Sequence, residues 1–190
     1  MSPSVDLSAE FATAQQRVRM LQQQPQAFPH PVDPMEPVEC VETHISWVLL
    51  AGDFAYKFKK PLQLDFLDFS TRALRHAACE EELRINRRTA PGLYLGVVGL
   101  VSDAAKDASA TLRVVPWQGA PSGAEPAVWM RRFDQESLFA TALDAHRVSP
   151  AQIDQLARHV AQFHATAAVA AGATTSVSYT HLRAHETRGN

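Results

Sequence analysis

Apolar residues recur along the chain with two periods, and the switches between them mark out its elements. Leu7, Phe11, Ala14, Val18 and Leu21 are spaced by 4, 3, 4 and 3 residues, the single stripe of an amphipathic helix. Pro25 and the run Pro29-His30-Pro31 stop it, and Pro29, Pro31, Pro34 and Pro37 leave a connector that is neither helix nor central strand. From Val38 the period becomes two. A strand over 38–42 leads into residues 43–61, THISWVLLAGDFAYKFKKP. There Ile45, Trp47 and Leu49 share one face of a strand, and Phe54, Tyr56 and Phe58 share one face of the next. Gly52-Asp53 supplies the turn between them, and Ala55 and Lys57 point to the opposite face of the second strand.

Residues 61–69, PLQLDFLDF, read as a connector with Phe66, Leu67 and Phe69 as core anchors. Ser70 caps the next helix and Pro91-Gly92 ends it. On that helix Leu74, Ala78, Glu81, Ile85 and Arg88 form one stripe, which places Glu81 in the middle of the inward face. A carboxylate there needs a partner, because burying one unpaired is costly, and Lys57 is the natural candidate. Glu80 and Glu82 each lie one helical step of about 100° away, so a change of phase would promote either. Strands are expected at 94–101, 111–117 and 127–133, joined by loops at 102–110 and 118–126. Asp134 can cap a helix over 135–146. Ser149-Pro150-Ala151-Gln152 is a capping box, and Ile153, Leu156, Ala157, Val160, Phe163, His164 and Ala167 continue it as an amphipathic helix, with His164 read as a core residue.

Composition adds mostly exclusions. At 190 residues the chain is one domain, or one and a fragment, long enough for a real core. It is 46% hydrophobic and 20% charged with a net charge of −2, so nothing draws it to nucleic acid or to an anionic membrane. Two cysteines, Cys40 and Cys79, are too few for a disulfide scaffold. With no leader pattern and no run of about 18 apolar residues, a cytoplasmic protein is expected. Lys57, Lys59 and Lys60 then have two readings. They are the solvated face of an edge hairpin, or Lys57 is half of an inward ion pair with the following helix.

The words THISWVLLAGDFAYKFKKP, FLDFS, CEEELRINRRTAPGLYLGVV, VWMRRF and LARHVAQFHA occur in order over roughly residues 5–170. They resemble the aminoglycoside-phosphotransferase-like family of bacterial kinase-like proteins, in particular the subgroup whose kinase-like domain precedes a P-loop ATP-binding domain. The resemblance implies an α+β fold: a kinase-like small lobe, with a twisted antiparallel sheet and one packed helix, then the first helices of an incomplete helical lobe. The implied sections are an N-terminal helix and connector at 1–37, the small lobe at 38–133, the start of a helical lobe at 134–172 and a non-native or disordered tail at 173–190. Lys57 would hold the α- and β-phosphates of ATP, with Glu81 as its helical partner. Ala55 would pack over the adenine. Met130 to Asp134 would be the interlobe hinge, with main-chain groups of Arg131, Arg132 and Phe133 meeting the base edge. The turn at Thr43 to Ser46, with His44, would lie near the phosphates.

Departures from the pattern shape the functional expectation. There is no G-x-G-x-x-G, and Asp68-Phe69-Ser70 is not a D-F-G motif, since its third residue and its position are both wrong. A catalytic Asp and a metal-binding Asp should follow Phe163-His164, yet no Asp occurs after Asp154. The expectation is therefore a nucleotide-binding piece truncated before its catalytic loop, inactive by itself and capable at most of weak, Mg²⁺-assisted ATP binding. The parent reaction would be transfer of the ATP γ-phosphoryl group to a small-molecule hydroxyl. Residues 176–190, SVSYTHLRAHETRGN, resemble a translated sequencing-adapter stretch, and His181 and His185 within it are a poor match to a zinc motif. The alternative is a non-catalytic α+β protein-interaction module that uses the sheet and the helix near 150–170.

Overall fold

The hairpin of β2 (Ser46–Ala51) and β3 (Phe54–Lys59) turns at Gly52, whose φ of +54° is a conformation that glycine adopts without strain. Its register pairs Trp47 with Phe58, Leu49 with Tyr56 and Ala51 with Phe54, so the two apolar faces read from the sequence coincide on one side of the sheet. The structure is a computed structural model and describes residues 6–103 and 111–168. Most of the loop expected at 102–110, and all of the tail with His181 and His185, lie outside the described residues.

Around the hairpin stand β1 (Glu39–Glu42), β6 (Tyr94–Ser102), β7 (Leu112–Pro116) and β8 (Glu125–Arg131), giving one antiparallel sheet in the order β1-β2-β3-β8-β6-β7. The fold is thus α+β around a six-stranded antiparallel sheet. Because β1 covers β2, the hairpin is internal to the sheet. Lys59 and Lys60 are buried, which overturns the reading of the three lysines as a solvated edge. On one face lies α1 (Leu7–Gln22), which buries Ala14, Val18 and Leu21 and packs Phe11 against Trp47 with the rings tilted and their centroids 5.2 Å apart. Phe28, in the connector after α1, packs its ring 5.0 Å from that of Tyr56 on the same core.

Helix α2 (Arg72–Asn86) packs against β8 and β6. Its cap is Thr71 and not Ser70, with Thr71 Oγ1 accepting from Leu74 N at 3.3 Å. Its buried residues are Arg75, Cys79 and Leu83, while Leu74 and Ile85 are exposed. The stripe expected through Leu74, Glu81 and Ile85 is therefore off by about one residue, or 100° of helix. The reason is Arg75. An apolar period cannot foresee that an arginine occupies an inward position, and this one is fully buried because carboxylates and carbonyls meet it there.

The connector also differs from expectation. It forms a small hairpin of β4 (Gln63–Leu64) and β5 (Leu67–Asp68), and Phe66 at its tip is 83% exposed, so only Phe69 serves as a buried anchor. The helix expected at 135–146 is a 3₁₀ turn (Gln135–Ser137) followed by α3 (Phe139–Asp144). His146, at φ +54°, ends it in the left-handed conformation typical of helix stops. The capping box forms as read and opens α4 (Pro150–Thr166).

The chain divides into two compact units, Met1–Thr141 and Ala142–Asn190. The sheet, α1 and α2 belong to the first. In the second, α4 carries Ile153, Leu156 and Val160 exposed. Among the described residues no helix is long and apolar enough to cross a membrane.

Candidate functional site

On the sheet face opposite α1, strand register lays side chains out in rows. One row is apolar: Leu50 pairs with Ala55 and Ala55 with Met130. The next sets Lys57 between Val48 and Val128. A cavity of about 770 Å³ opens over these rows, with Val48, Leu50, Ala55 and Met130 among its lining and Lys57 and Glu82 at its polar end. That volume lies within the usual range for small-molecule sites.

Lys57 Nζ donates to Glu82 Oε1 at 2.8 Å, and Lys59 Nζ donates to Glu82 Oε2. The partner of Lys57 is therefore Glu82, not Glu81. Glu81 points to solvent and pairs with Arg84, three residues on, at 2.5 and 2.7 Å. Glu82 lies one helical step from the expected position, which is the same phase error that misplaced Leu74 and Ile85. Burial pushes the Glu82 carboxyl up, but hydrogen bonds and charge from Lys57 and Lys59 outweigh it and hold the group below the ordinary carboxylate value. The Tyr94 hydroxyl is pushed up by burial and by the nearby Glu82 charge.

Two arginines fix α2, and with it Glu82, over the sheet. Near its start Arg75 makes a two-pronged pair with Glu125 of β8, at 2.5 and 2.8 Å, and donates to Phe69 O and to Glu10 of α1, both at 2.9 Å. Just past its end Arg87 donates to Tyr94 O at 2.8 Å and to Leu95 O. Those carbonyls sit where the β6–β8 register shifts between Tyr94 and Gly96, so the guanidinium takes up acceptors near the irregularity.

Ala55, Met130, Arg131, Arg132 and Phe133 line the same cavity as Lys57. Arg132 N donates to Asp53 O at 2.8 Å, and beyond it the chain leaves the ladder through Phe133 and Asp134 along the cavity edge. Of residues 43–46, Thr43 lines the cavity, whereas Ser46, the first residue of β2, is buried outside its lining. Lys60 does not enter the site. It donates to Glu42 and to Thr43 O, both at 2.6 Å, and lies 5.4 Å from the centre of the Trp47 ring. Val48 and Leu50 were not named from the sequence, although alternation puts them on the Lys57 face and could have marked them. Tyr94 and Asp53 reach the cavity by topology that no local pattern announces. No group of three or more His, Cys, Asp or Glu side chains placed to hold a metal occurs among the described residues.

The chain is 37% identical over 137 residues to uncharacterized proteins of Mycobacterium tuberculosis and Mycobacterium bovis. The match covers 71% of this chain and 24% of theirs, so the chain spans about a quarter of the length of these curated relatives. No family model matches the sequence. No solved structure matches it.

Proposed function

We propose that the first unit is the nucleotide-binding part of a kinase-like protein, taking ATP with its Mg²⁺ into the cavity over β2, β3 and β8. The observation that carries this reading is Lys57, held by Glu82 at one end of an apolar slot. The slot formed by Val48, Leu50, Ala55 and Met130 suits a flat base. At its end two ammonium groups share one carboxylate, an excess of one positive charge, which suits phosphate oxygens. Main-chain groups of Arg131 to Phe133 run along the opposite edge, where they would meet the base. The sequence resemblance to the aminoglycoside-phosphotransferase-like family points to the same assignment.

Within this reading Lys57 grips the phosphates, Glu82 orients Lys57, and Ala55 leaves room for the base. The described residues offer no clustered donor set for Mg²⁺, so the ion would arrive on the nucleotide's phosphates, where it supplies charge neutralisation. Transfer of the γ-phosphoryl group to a small-molecule hydroxyl is proposed for the longer relatives, because residues 155–190 of this chain contain no Asp to act as base. A cytoplasmic setting, where ATP is available, goes with the assignment.

Titration of the chain with a fluorescent ATP analogue and Mg²⁺ tests the reading. Saturable binding is expected, weakened about tenfold or more (1.4 kcal/mol) by Lys57→Met. Absence of binding, or indifference to that substitution, would remove the assignment. It would then favour a protein-interaction module, the reading that the exposed Ile153, Leu156 and Val160 of α4 support.

A further inference from the structure

The shared carboxylate of Glu82 has two cations of unequal surroundings. The Lys57 side chain is 27% exposed and lines the cavity. That of Lys59 is 5% exposed, is absent from the lining, and holds its ammonium 5.5 Å from the centre of the Phe69 ring. Both project from the same face of β3, two residues apart, and Glu82 bridges them from α2. If Lys57 were the only partner, the largely buried carboxylate would rest on that one ammonium and compete with a ligand for it. With Lys59 on the other carboxylate oxygen, Lys57 gives one donor to Glu82 and keeps its remaining donors for a ligand.

We infer that Lys59 is the positioning residue of the site, a fixed counter-charge that keeps Glu82 anchored to the sheet, so that Lys57, still oriented by Glu82, offers its remaining donors to an anionic ligand. This inference rests on the nucleotide reading above and adds a division of labour to it: Lys57 is the cation that meets phosphate, and Lys59 never touches it. The ring of Phe69 packs against the stationary lysine, and the Phe69 main-chain carbonyl accepts from Arg75.

Two measurements on the full chain separate the inference from the reading it rests on. The first follows the lysine side-chain ammonium groups by NMR in wild type, Lys59→Met and Lys59→Arg. Lys59 protons are expected to exchange with water about tenfold more slowly than those of Lys57, and Lys57 exchange is expected to slow by a similar factor in Lys59→Met, where it becomes sole partner of Glu82. The second is the fluorescent ATP titration. Lys59→Met should weaken binding about tenfold while Lys59→Arg, which keeps the charge and the bond, stays within about threefold of wild type. Thermal melting checks that each variant is folded. Slowed Lys57 exchange in Lys59→Met with no ATP binding by wild type would keep the role of Lys59 and overturn the nucleotide reading. ATP binding with Lys57 exchange unmoved in Lys59→Met would do the reverse. A Lys59 signal that ATP shifts as strongly as that of Lys57 would make it a direct ligand and overturn the inference.

Discussion

Arg75 and Glu125 meet in the interior as a two-pronged ion pair, Nε to Oε1 at 2.5 Å and Nη2 to Oε2 at 2.8 Å, and the arginine has no exposed surface. Burial alone would pull the guanidinium's pKa down, but the hydrogen bonds and charges of Glu125 and Glu10 outweigh it and raise it. The pair links the N-terminal end of α2 to β8, and Glu10 extends it to α1, so one side chain joins three elements. Removing one partner leaves the other charge buried. Arg75→Leu or Glu125→Gln is therefore expected to destabilise the fold by about 3–5 kcal/mol, read as a lower urea midpoint at unchanged slope. A midpoint that stays put would mean the network contributes nothing net.

The neighbouring glutamates of α2 should respond in opposite ways. Glu82→Gln leaves the buried Lys59 and the half-buried Lys57 without their carboxylate, and a loss near 3 kcal/mol is expected, as for other broken buried pairs. Glu81→Gln breaks only an exposed helix pair with Arg84 and should shift stability by less than about 0.5 kcal/mol. Urea denaturation of the two variants side by side decides the matter. Equal effects would mean that the sheet lysines have a different partner in solution.

Acid should weaken the fold through the same carboxylate. Glu82 is held below 4.5, its ordinary value and that of the unfolded chain, so its contribution to stability is fully present above that value and is lost as pH falls through the lower folded value. Glu42 and Asp68, both also lowered, act in the same direction but are exposed. Stability measured from pH 7 downward is expected to decline below about pH 4.5, and the decline should be shallower in Glu82→Gln. Parallel curves for the two proteins would show that Glu82 titrates alike folded and unfolded.

How far the sequence reaches depends on what kind of contact sets each feature. The faces of β2 and β3 were legible because a period of two admits only two choices, and Trp47, Leu49, Tyr56 and Phe58 all choose the same one. The capping box at Ser149 was legible because its donors and acceptors are three residues apart. The phase of α2 was not legible. Its inward face carries Arg75, whose partners Glu10 and Glu125 lie 65 and 50 residues away, so nothing local marks the arginine as buried. One misplaced residue there moved the expected partner of Lys57 from Glu82 to Glu81. Lys59 was set aside for the same reason: a lysine on alternating spacing reads as solvated until a carboxylate from another element is seen to cover it. Phe66 fails in the opposite sense, being an aromatic at a hairpin tip with no neighbour to cover it.

Cys79 offers a way to watch the site open. It lies on α2 three residues before Glu82, fully buried, and burial pushes its thiol up to about 12, with Glu82 and Glu125 adding to the effect and Lys59 and Lys57 opposing it. At pH 8 the thiolate that reacts with iodoacetamide is scarce and sealed in, so labelling must wait for α2 to lift from the sheet. Cys40, only partly buried on β1, should label first, although burial raises its thiol too. Lifting α2 also parts Glu82 from Lys57. A nucleotide that binds only the closed form should then slow Cys79 labelling by 1 + [L]/Kd, about a hundredfold at a hundred times Kd, and leave Cys40 little changed. Mass spectrometry of the two cysteine peptides over time gives both rates from one sample. Slowing of neither would separate nucleotide binding from α2 closure, and equal slowing of both would place the protection in the fold as a whole.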